Sequence, residues 1–148
     1  MTYKMIVLDL DDTLLTSDHT ISPRTKEALL AAQRRGKKVV LASGRPTFAM
    51  LDLAKELELA RYGSYILSFN GASIIDCQTN ESLFLSTLSP ETVHRLDDLS
   101  KREGVYIHTY IGHEILTEQP NEYTTLEGQL TGMDVVPVTD FKAAIQTP

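Results

Sequence analysis

The chain has 148 residues, of which 42% are hydrophobic and 23% are charged, and its formal net charge is −6. This composition excludes wholesale disorder, and the acidic balance argues against a general nucleic-acid-binding protein, which would carry a basic face. No apolar stretch approaches the roughly 20 residues of a membrane span, so we expect no membrane partner. With one cysteine, Cys77, and no recognisable secretory signal, we expect a cytoplasmic protein in which Cys77 is a structural thiol.

The first half of the chain predicts strands that alternate with helices. Residues 3–10 are aliphatic and β-branched without clean alternation, which is typical of a strand buried on both faces. Ser22 and Pro23 predict the start of a helix that ends at Gly36. The next predicted elements are a strand at 37–43, a helix at 47–59 and a strand at 65–69. This order with short connections predicts an α/β fold with a doubly wound parallel sheet.

The pattern changes after Asn70-Gly71, where two short strands joined by a turn are predicted at 72–76 and 82–86. Ser89 and Pro90 predict the start of a helix to about residue 103. We expect its apolar residues to face inward, namely Val93, Leu96 and Leu99. The remaining predicted elements are a hairpin turning near Gly112, a helix within 121–132, a strand within 133–138 and the start of a helix after 139. We predict two domains, residues 1–84 and an α+β segment at 85–148, with the boundary within 84–88.

Polar motifs follow the three predicted parallel strands, at residues 9–12, 43–45 and 69–72. In such sheets ligands bind outside the carboxyl ends of the strands. Side chains alternate along extended backbone, so Asp9 and Asp11 are expected to point the same way. Two such carboxylates suit Mg²⁺, which commonly uses one or two carboxylates together with a substrate phosphate. Asp9 could then attack phosphorus while Asp11 protonates the leaving oxygen. The alternative is a solvated acidic turn that ends the strand.

The residues VLDLDDTLL, at 7–15, resemble the first motif of the haloacid dehalogenase-like superfamily, and VVLASGRP, at 39–46, resembles the second. The residues SFNGA, at 68–72, followed by a hairpin and an α+β segment, are similar to the Cof-type sugar-phosphatase branch. The resemblance implies a Rossmann-like core, residues 1–84, with an inserted α+β cap domain at 85–148, both incomplete here. It also implies a Mg²⁺-dependent phosphatase that hydrolyses a small phosphorylated metabolite through an aspartyl-phosphate.

The same resemblance implies a role for each matching residue. Asp9 would be the nucleophile and a metal ligand, and Asp11 the general acid/base with its backbone carbonyl on the metal. The phosphate oxygens would be held by three donors, the Leu10 N–H, the Ser43 hydroxyl and the Gly44 N–H. The remaining implied roles are bracing of the loop by Thr13 and substrate contacts from Arg45 and Asn70.

Simpler interpretations of these motifs stay open at this point. Ser43-Gly44 could only terminate a strand, Arg45 could form a surface ion pair, and Asn70-Gly71 could be a tight turn. The four histidines have no metal-ligand spacing with Cys77 or with one another, so we expect no role for them at a metal.

Two further motifs of the family pattern are missing from this sequence. One supplies a lysine that offsets charge on the nucleophile and the phosphate, and the other is an acidic run that begins Gly-Asp. No Gly-Asp pair occurs in the sequence. We therefore expect the amino-terminal part of a longer enzyme that ends inside the cap, and we expect this part alone to be inactive.

Three other functions compete with the phosphatase interpretation. A phosphomutase would share the chemistry and return the phosphoryl group to the product. A receiver module would carry its acceptor aspartate at the end of the third strand, where this chain has Phe69-Asn70. A non-catalytic phosphate-binding remnant is the third. The sequence leaves the substrate open among sugar phosphates, pyridoxal phosphate and flavin mononucleotide, and it leaves the oligomeric state undetermined.

Overall fold

The structure is a computed structural model that describes residues 3–146 of the chain. The chain divides into two compact units, Met1–Ser86 and Thr87–Pro148, and each unit has a sheet of its own. The identification of these units as an enzyme core and its cap stays a prediction. Within the described residues, no helix has both the length and the apolar composition needed to cross a membrane.

The first unit contains a five-stranded sheet in the order β1-β2-β3-β4-β5. The first three strands are parallel and the last two are antiparallel additions. The strands are β1 (Met5–Leu8), β2 (Lys38–Ala42), β3 (Tyr65–Ser68), β4 (Ser73–Asp76) and β5 (Ser82–Leu85). The helices are α1 (Pro23–Arg34), α2 (Leu51–Glu56) and α3 (Leu59–Tyr62). The predicted α/β class is confirmed, and the parallel strands bring their carboxyl ends to one edge of the sheet.

The two predicted helices of the first unit have different outcomes. Ser22 caps α1, since its hydroxyl accepts a hydrogen bond from the Thr25 N–H, and Pro23 occupies the first turn, as predicted. The single helix predicted at 47–59 is wrong. A 3₁₀ turn over Thr47–Met50 leads into α2, which ends before Glu58, a residue with a left-handed φ of 53°. This backbone conformation interrupts a helix, although the apolar spacing continues across it.

The core of the first unit lies against the middle of its sheet. Its fully buried apolar residues come from strands, helices and the turn after β1, namely Leu10, Val39, Leu41, Met50, Leu57 and Leu59. The prediction that β1 is buried on both faces is wrong, because Met5 and Val7 are exposed. In the described sheet β1 is an edge strand that pairs only with β2, and its inward residues are only partly covered.

The second unit contains a three-stranded sheet in the order β6-β7-β8. The hairpin strands β6 and β7 are antiparallel, and β8 lies parallel to β7. The strands are β6 (Thr109–Ile111), β7 (Glu114–Thr117) and β8 (Asp134–Pro137). The helices are α4 (Pro90–Glu103), α5 (Glu122–Thr131) and α6 (Phe141–Ala144). Asn121 caps α5 by accepting hydrogen bonds from the first-turn N–H groups, which explains why a helix begins in this polar segment.

The inward face of α4 differs from the prediction. Val93 is buried as expected, but Leu96 and Leu99 are exposed, and the buried positions one and two turns further along are Asp97 and Ser100. An ion pair within the helix compensates the buried acid, because the Lys101 ammonium lies 2.9 Å from the Asp97 carboxylate. A buried carboxylate with a cation beside it can take a core position that an apolar pattern would assign to leucine.

The lysine of that pair also joins α4 to the end of β7. Lys101 Nζ lies 3.0 Å from the Glu118 carboxylate, and the Phe141 N–H donates a 2.8 Å hydrogen bond to the same carboxylate. This backbone hydrogen bond, with help from Lys101, holds the pKa of Glu118 below its ordinary value. The second oxygen of Asp97, Oδ1, has no hydrogen-bond partner within residues 3–146. Phe141 itself is fully buried and packs beside Val93.

Candidate active site

The site begins where β1 ends, with a short turn that presents acidic residues to solvent. Asp9 is extended, and the chain then makes a kinked turn over Leu10–Leu14, in which Asp11 and Asp12 have non-helical backbone angles. The Leu14 N–H donates to the Asp9 carbonyl at 3.2 Å, while Leu10 is fully buried and anchors the turn. The predicted Leu10 N–H donor belongs to this first turn, whose N–H groups have no acceptor inside the turn.

That Asp9 and Asp11 point the same way stays a prediction, because the reasoning from strand alternation does not apply to them. The strand ends at Leu8, so strand alternation does not set their directions. Instead, burial of Leu10 between them leaves both aspartates exposed, and Asp12 has a left-handed φ of 54°. The acidic cluster is therefore held by a buried leucine and lies open to solvent.

The end of β2 supplies a second set of polar groups. Ser43 is buried, and its hydroxyl oxygen accepts a 3.2 Å hydrogen bond from the Arg45 N–H, which leaves the hydroxyl proton available to a ligand. Gly44 is exposed, and its N–H has no acceptor in the described part of the chain. A Cβ at Gly44 would lie 3.2 Å from the side-chain oxygen of Asn70, so the glycine lets the two loops approach closely.

The end of β3 has an unusual backbone. Phe69, Asn70 and Gly71 have φ values of 51°, 55° and 93°, three consecutive left-handed residues. For a bulky residue such as Phe69 this conformation is strained, at a cost of order 1–3 kcal/mol. Hydrogen bonds to the neighbouring loop maintain it, since the Phe69 N–H donates to the Arg45 carbonyl at 3.0 Å and the Asn70 N–H to the Ser43 carbonyl at 3.1 Å. The loops after β2 and β3 therefore form one rigid edge.

Arg45 joins this edge to the acidic turn. Its Nη2 lies 2.5 Å from Asp11 Oδ1, and its Nε donates to Asp11 Oδ2 at 3.0 Å, a two-point ion pair. The Arg45 side chain is 15% exposed and that of Asp11 is 49% exposed. Arg45 therefore forms an ion pair, as the simpler interpretation of its motif predicts, and its partner is Asp11.

The bracing contact differs from the one that the motifs indicate. Thr13 is exposed and makes no hydrogen bond within residues 3–146, so its bracing role stays a prediction. A bracing contact is made instead by Thr47 and Ser68, whose hydroxyls lie 2.5 Å apart. Ser68 is fully buried, and the only sequence signal for this contact is that both residues flank the SGRP and FNG motifs.

The residues present fit a magnesium ion that is completed by other ligands. In the part of the chain that the structure describes, no group of three or more His, Cys, Asp or Glu residues could enclose a metal. The Asp11 carboxylate is engaged by Arg45, so the metal contacts that the resemblance implies would come from the Asp9 carboxylate and the Asp11 carbonyl. Such a donor set suits Mg²⁺, which keeps several waters and takes substrate phosphate oxygens as ligands.

Cys77 lies outside this edge and is not equipped as a nucleophile. Its side chain is buried, and burial raises the pKa of the thiol to about 11, with a smaller contribution from Asp76. At neutral pH the thiol is therefore protonated, in agreement with a structural role.

Comparison with known proteins identifies the family. The family model for haloacid dehalogenase-like hydrolases matches residues 6–144, and the chain belongs to this family, as the Cof-type resemblance predicts. A solved haloacid dehalogenase-like hydrolase from Bacteroides thetaiotaomicron is 40% identical, with a TM-score of 0.87, over 99% of this chain and 56% of that one.

Two further relatives carry phosphatase names. Phosphatase YwpJ of Bacillus subtilis is 31% identical over 116 residues, which cover 78% of this chain and 39% of that protein. The subclass IIB sugar phosphatase BT4131 is 26% identical, with a TM-score of 0.72, over 95% of this chain and 54% of that one. The chain spans about half the length of curated relatives that it matches.

Proposed function

We propose that the complete protein is a Mg²⁺-dependent phosphatase that hydrolyses small phosphomonoesters through an aspartyl-phosphate on Asp9. The observation that carries this proposal is the joining of three strand ends into one edge, where the acidic turn, the Ser43-Gly44 loop and Asn70 are linked by hydrogen bonds. Donors and carboxylates held in this way can act on a phosphate without reorganisation. The phosphatase names of the relatives support the same reaction class.

In the first step, a carboxylate oxygen of Asp9 attacks phosphorus, and the bond from phosphorus to the leaving oxygen breaks. Asp11 donates its proton to that oxygen, which departs as an alcohol. In the second step, Asp11 takes a proton from a water molecule that attacks phosphorus, and the Asp9 carboxylate departs as inorganic phosphate forms. The Ser43 hydroxyl and the Gly44 N–H donate to phosphate oxygens in both steps. Mg²⁺, when bound, would supply positive charge next to Asp9 and the phosphate.

A sugar phosphate or a similar small metabolite is the substrate class that we propose. The support is indirect, because it comes from the name of one relative, a sugar phosphatase. Pyridoxal phosphate and flavin mononucleotide belong in the same substrate panel, since the phosphate-binding role that we propose for this edge does not distinguish among the three.

The experiment measures phosphate release by the complete protein from a panel of phosphomonoesters, with Mg²⁺ and with excess chelator. We expect turnover that stops on chelation and returns when Mg²⁺ is restored. Acid quench during turnover, followed by peptide mass spectrometry, is expected to locate the phosphoryl group on Asp9. Asp52→Asn is the matched control, because Asp52 is exposed in the same unit and pairs only with Lys55. Undiminished hydrolysis in excess chelator would reject the metal assignment.

A further inference from the structure

The two-point ion pair between Arg45 and Asp11 has features that an ordinary surface pair lacks. It joins residues 34 positions apart, and the guanidinium uses two different nitrogens on the two carboxylate oxygens. The Arg61–Glu58 pair of the same unit is a contrast, since it is a single contact between neighbours on one turn, and both side chains are well exposed. A two-point geometry fixes the orientation of a carboxylate as well as its distance.

Arg45 is the better-anchored member of the pair. Its N–H donates to the Ser43 hydroxyl, its carbonyl accepts from the Phe69 N–H, and its side chain is mostly covered. Asp11 lies in a five-residue turn with non-helical backbone angles, and half of its side chain is exposed. Since one partner is held by two loops and the other by a short turn, the arginine sets the position of the aspartate.

The pair does not occupy the whole Asp11 carboxylate. A carboxylate has about four acceptor positions, and Arg45 occupies only one on each oxygen. The remaining positions face away from the guanidinium, and the 49% exposure of Asp11 leaves them accessible. Orientation of a reacting group matters strongly, because a misplacement of about 1 Å can reduce a rate by 10²-fold.

We propose that Arg45 is a positioning residue that acts through Asp11, in place of the substrate contact that its motif suggests. The inference rests on the proposed function, in which Asp11 is the acid and base. It assigns Arg45 to the proton-transfer step, so its effect should depend on how much protonation the leaving group needs. An alkoxide leaving group needs the proton, whereas an activated aryl leaving group such as p-nitrophenolate needs it far less.

A double-mutant cycle in the complete protein tests this inference. The variants are Arg45→Met, Arg45→Lys, Asp11→Asn and the double variant Asp11→Asn/Arg45→Met, and the substrates are a sugar phosphate that the protein hydrolyses and p-nitrophenyl phosphate. We expect Arg45→Met to lower kcat for the sugar phosphate by roughly 10–100-fold, with little change in KM and a change of under about threefold for the aryl ester. In the Asp11→Asn background, Arg45→Met should have almost no further effect.

Two controls keep the result interpretable. Arg61→Met removes an exposed guanidinium from the same unit and is expected to leave both substrates unaffected. Arg45→Lys keeps the charge and one contact, so a partial return of kcat for the sugar phosphate is expected even if Arg45→Met folds poorly.

The outcomes separate this inference from the proposed function. A rise in KM at unchanged kcat for Arg45→Met, or effects that multiply in the double variant, would show that Arg45 binds substrate and would overturn the inference. If Asp11→Asn alone leaves sugar-phosphate turnover unchanged, the proposed function fails at its acid and base, and the inference fails with it.

Discussion

The two units each contain an acidic residue paired with a basic one, and the pairs are arranged in opposite senses. In the first unit the cation, Arg45, is mostly covered, and the acid, Asp11, faces solvent. In the second unit the acid, Asp97, is 0% exposed, while the cation, Lys101, is 50% exposed. The exposed member of each pair is the one that other molecules can reach.

The difference separates a carboxylate available for chemistry from one that serves folding. A carboxylate that water solvates keeps its charge in the folded state at little cost in free energy. Loss of its partner therefore changes its orientation more than the stability of the fold. A buried carboxylate that loses its cation is left uncompensated, which strongly destabilises the folded state. The comparison therefore predicts that variants at the first pair affect rate and variants at the second affect unfolding.

The largest expected effect concerns Asp9, the other exposed acid of the first unit. Asp9→Asn should lower turnover of the complete protein by at least about 10³-fold, because the proposed nucleophile is lost. Its urea unfolding midpoint should stay within error of the wild type, since the side chain is exposed. If Asp9→Asn still becomes phosphorylated during turnover, Asp9 is not the nucleophile. If Asp9→Asn unfolds, the exposed acid also serves stability, and the contrast between the two units is lost.

The second prediction removes the cation of the buried pair. Lys101→Met should lower the stability of the second unit, because Asp97 would lose the one ion-pair partner that it has within residues 3–146, and Glu118 would lose one of its contacts. Hydrogen exchange with mass spectrometry, followed in peptides of residues 87–146, measures the effect. Arg102→Met is the matched control, since Arg102 pairs only with its exposed neighbour Glu103. Equal effects of the two variants would mean that the Asp97 pair has no structural role.

A smaller effect is expected at the start of α5. Asn121→Ala removes the side-chain acceptor for two first-turn N–H groups, Tyr123 and Thr124. The expected loss is about 1 kcal/mol of unfolding free energy in the second unit. Asn121→Asp keeps an acceptor at the cap and should therefore retain most of the unfolding free energy that Asn121→Ala loses. Exchange protection in the peptide that contains α5 is the measurement, and an unchanged value would show that packing alone holds the helix.

The smallest effect concerns pH. Glu118 has a lowered pKa in the folded state, chiefly because the Phe141 N–H donates to it, so it stabilises the fold when ionised. This contribution is complete above the ordinary glutamate pKa and is lost as pH falls through the lowered value. Unfolding midpoints measured from pH 7 downwards should therefore fall less steeply for Glu118→Gln than for the wild type. If the unfolding midpoints of Glu118→Gln and of the wild type fall equally steeply with pH, ionised Glu118 does not stabilise the fold.

Much of the first unit could be predicted from its sequence because its strands are marked locally. Strands β1, β2 and β3 follow aliphatic and β-branched runs, and their ends are marked by Asp9, Ser43 and Phe69-Asn70. Parallel pairing then brings these ends to one edge, which makes the position of the candidate site predictable from topology.

The features that escaped prediction depend on contacts that are distant in sequence. Exposure of Met5 and Val7 depends on how many strands flank β1, and strand composition does not show this. The outward turn of Leu96 and Leu99 depends on a charge pair that compensates Asp97. The Arg45–Asp11 pair spans two loops, and no local pattern reports it.

The left-handed run at Phe69, Asn70 and Gly71 has a consequence for the order in which the molecule assembles. Its two stabilising hydrogen bonds end on the carbonyls of Ser43 and Arg45, which reach their places only when β2 and β3 have paired. Before that pairing these two hydrogen bonds cannot form, and Phe69 should more often occupy an ordinary extended conformation. We therefore expect this edge to form late, so that a nascent chain with a partly formed sheet has the acidic turn before the loops after β2 and β3 reach their final conformation.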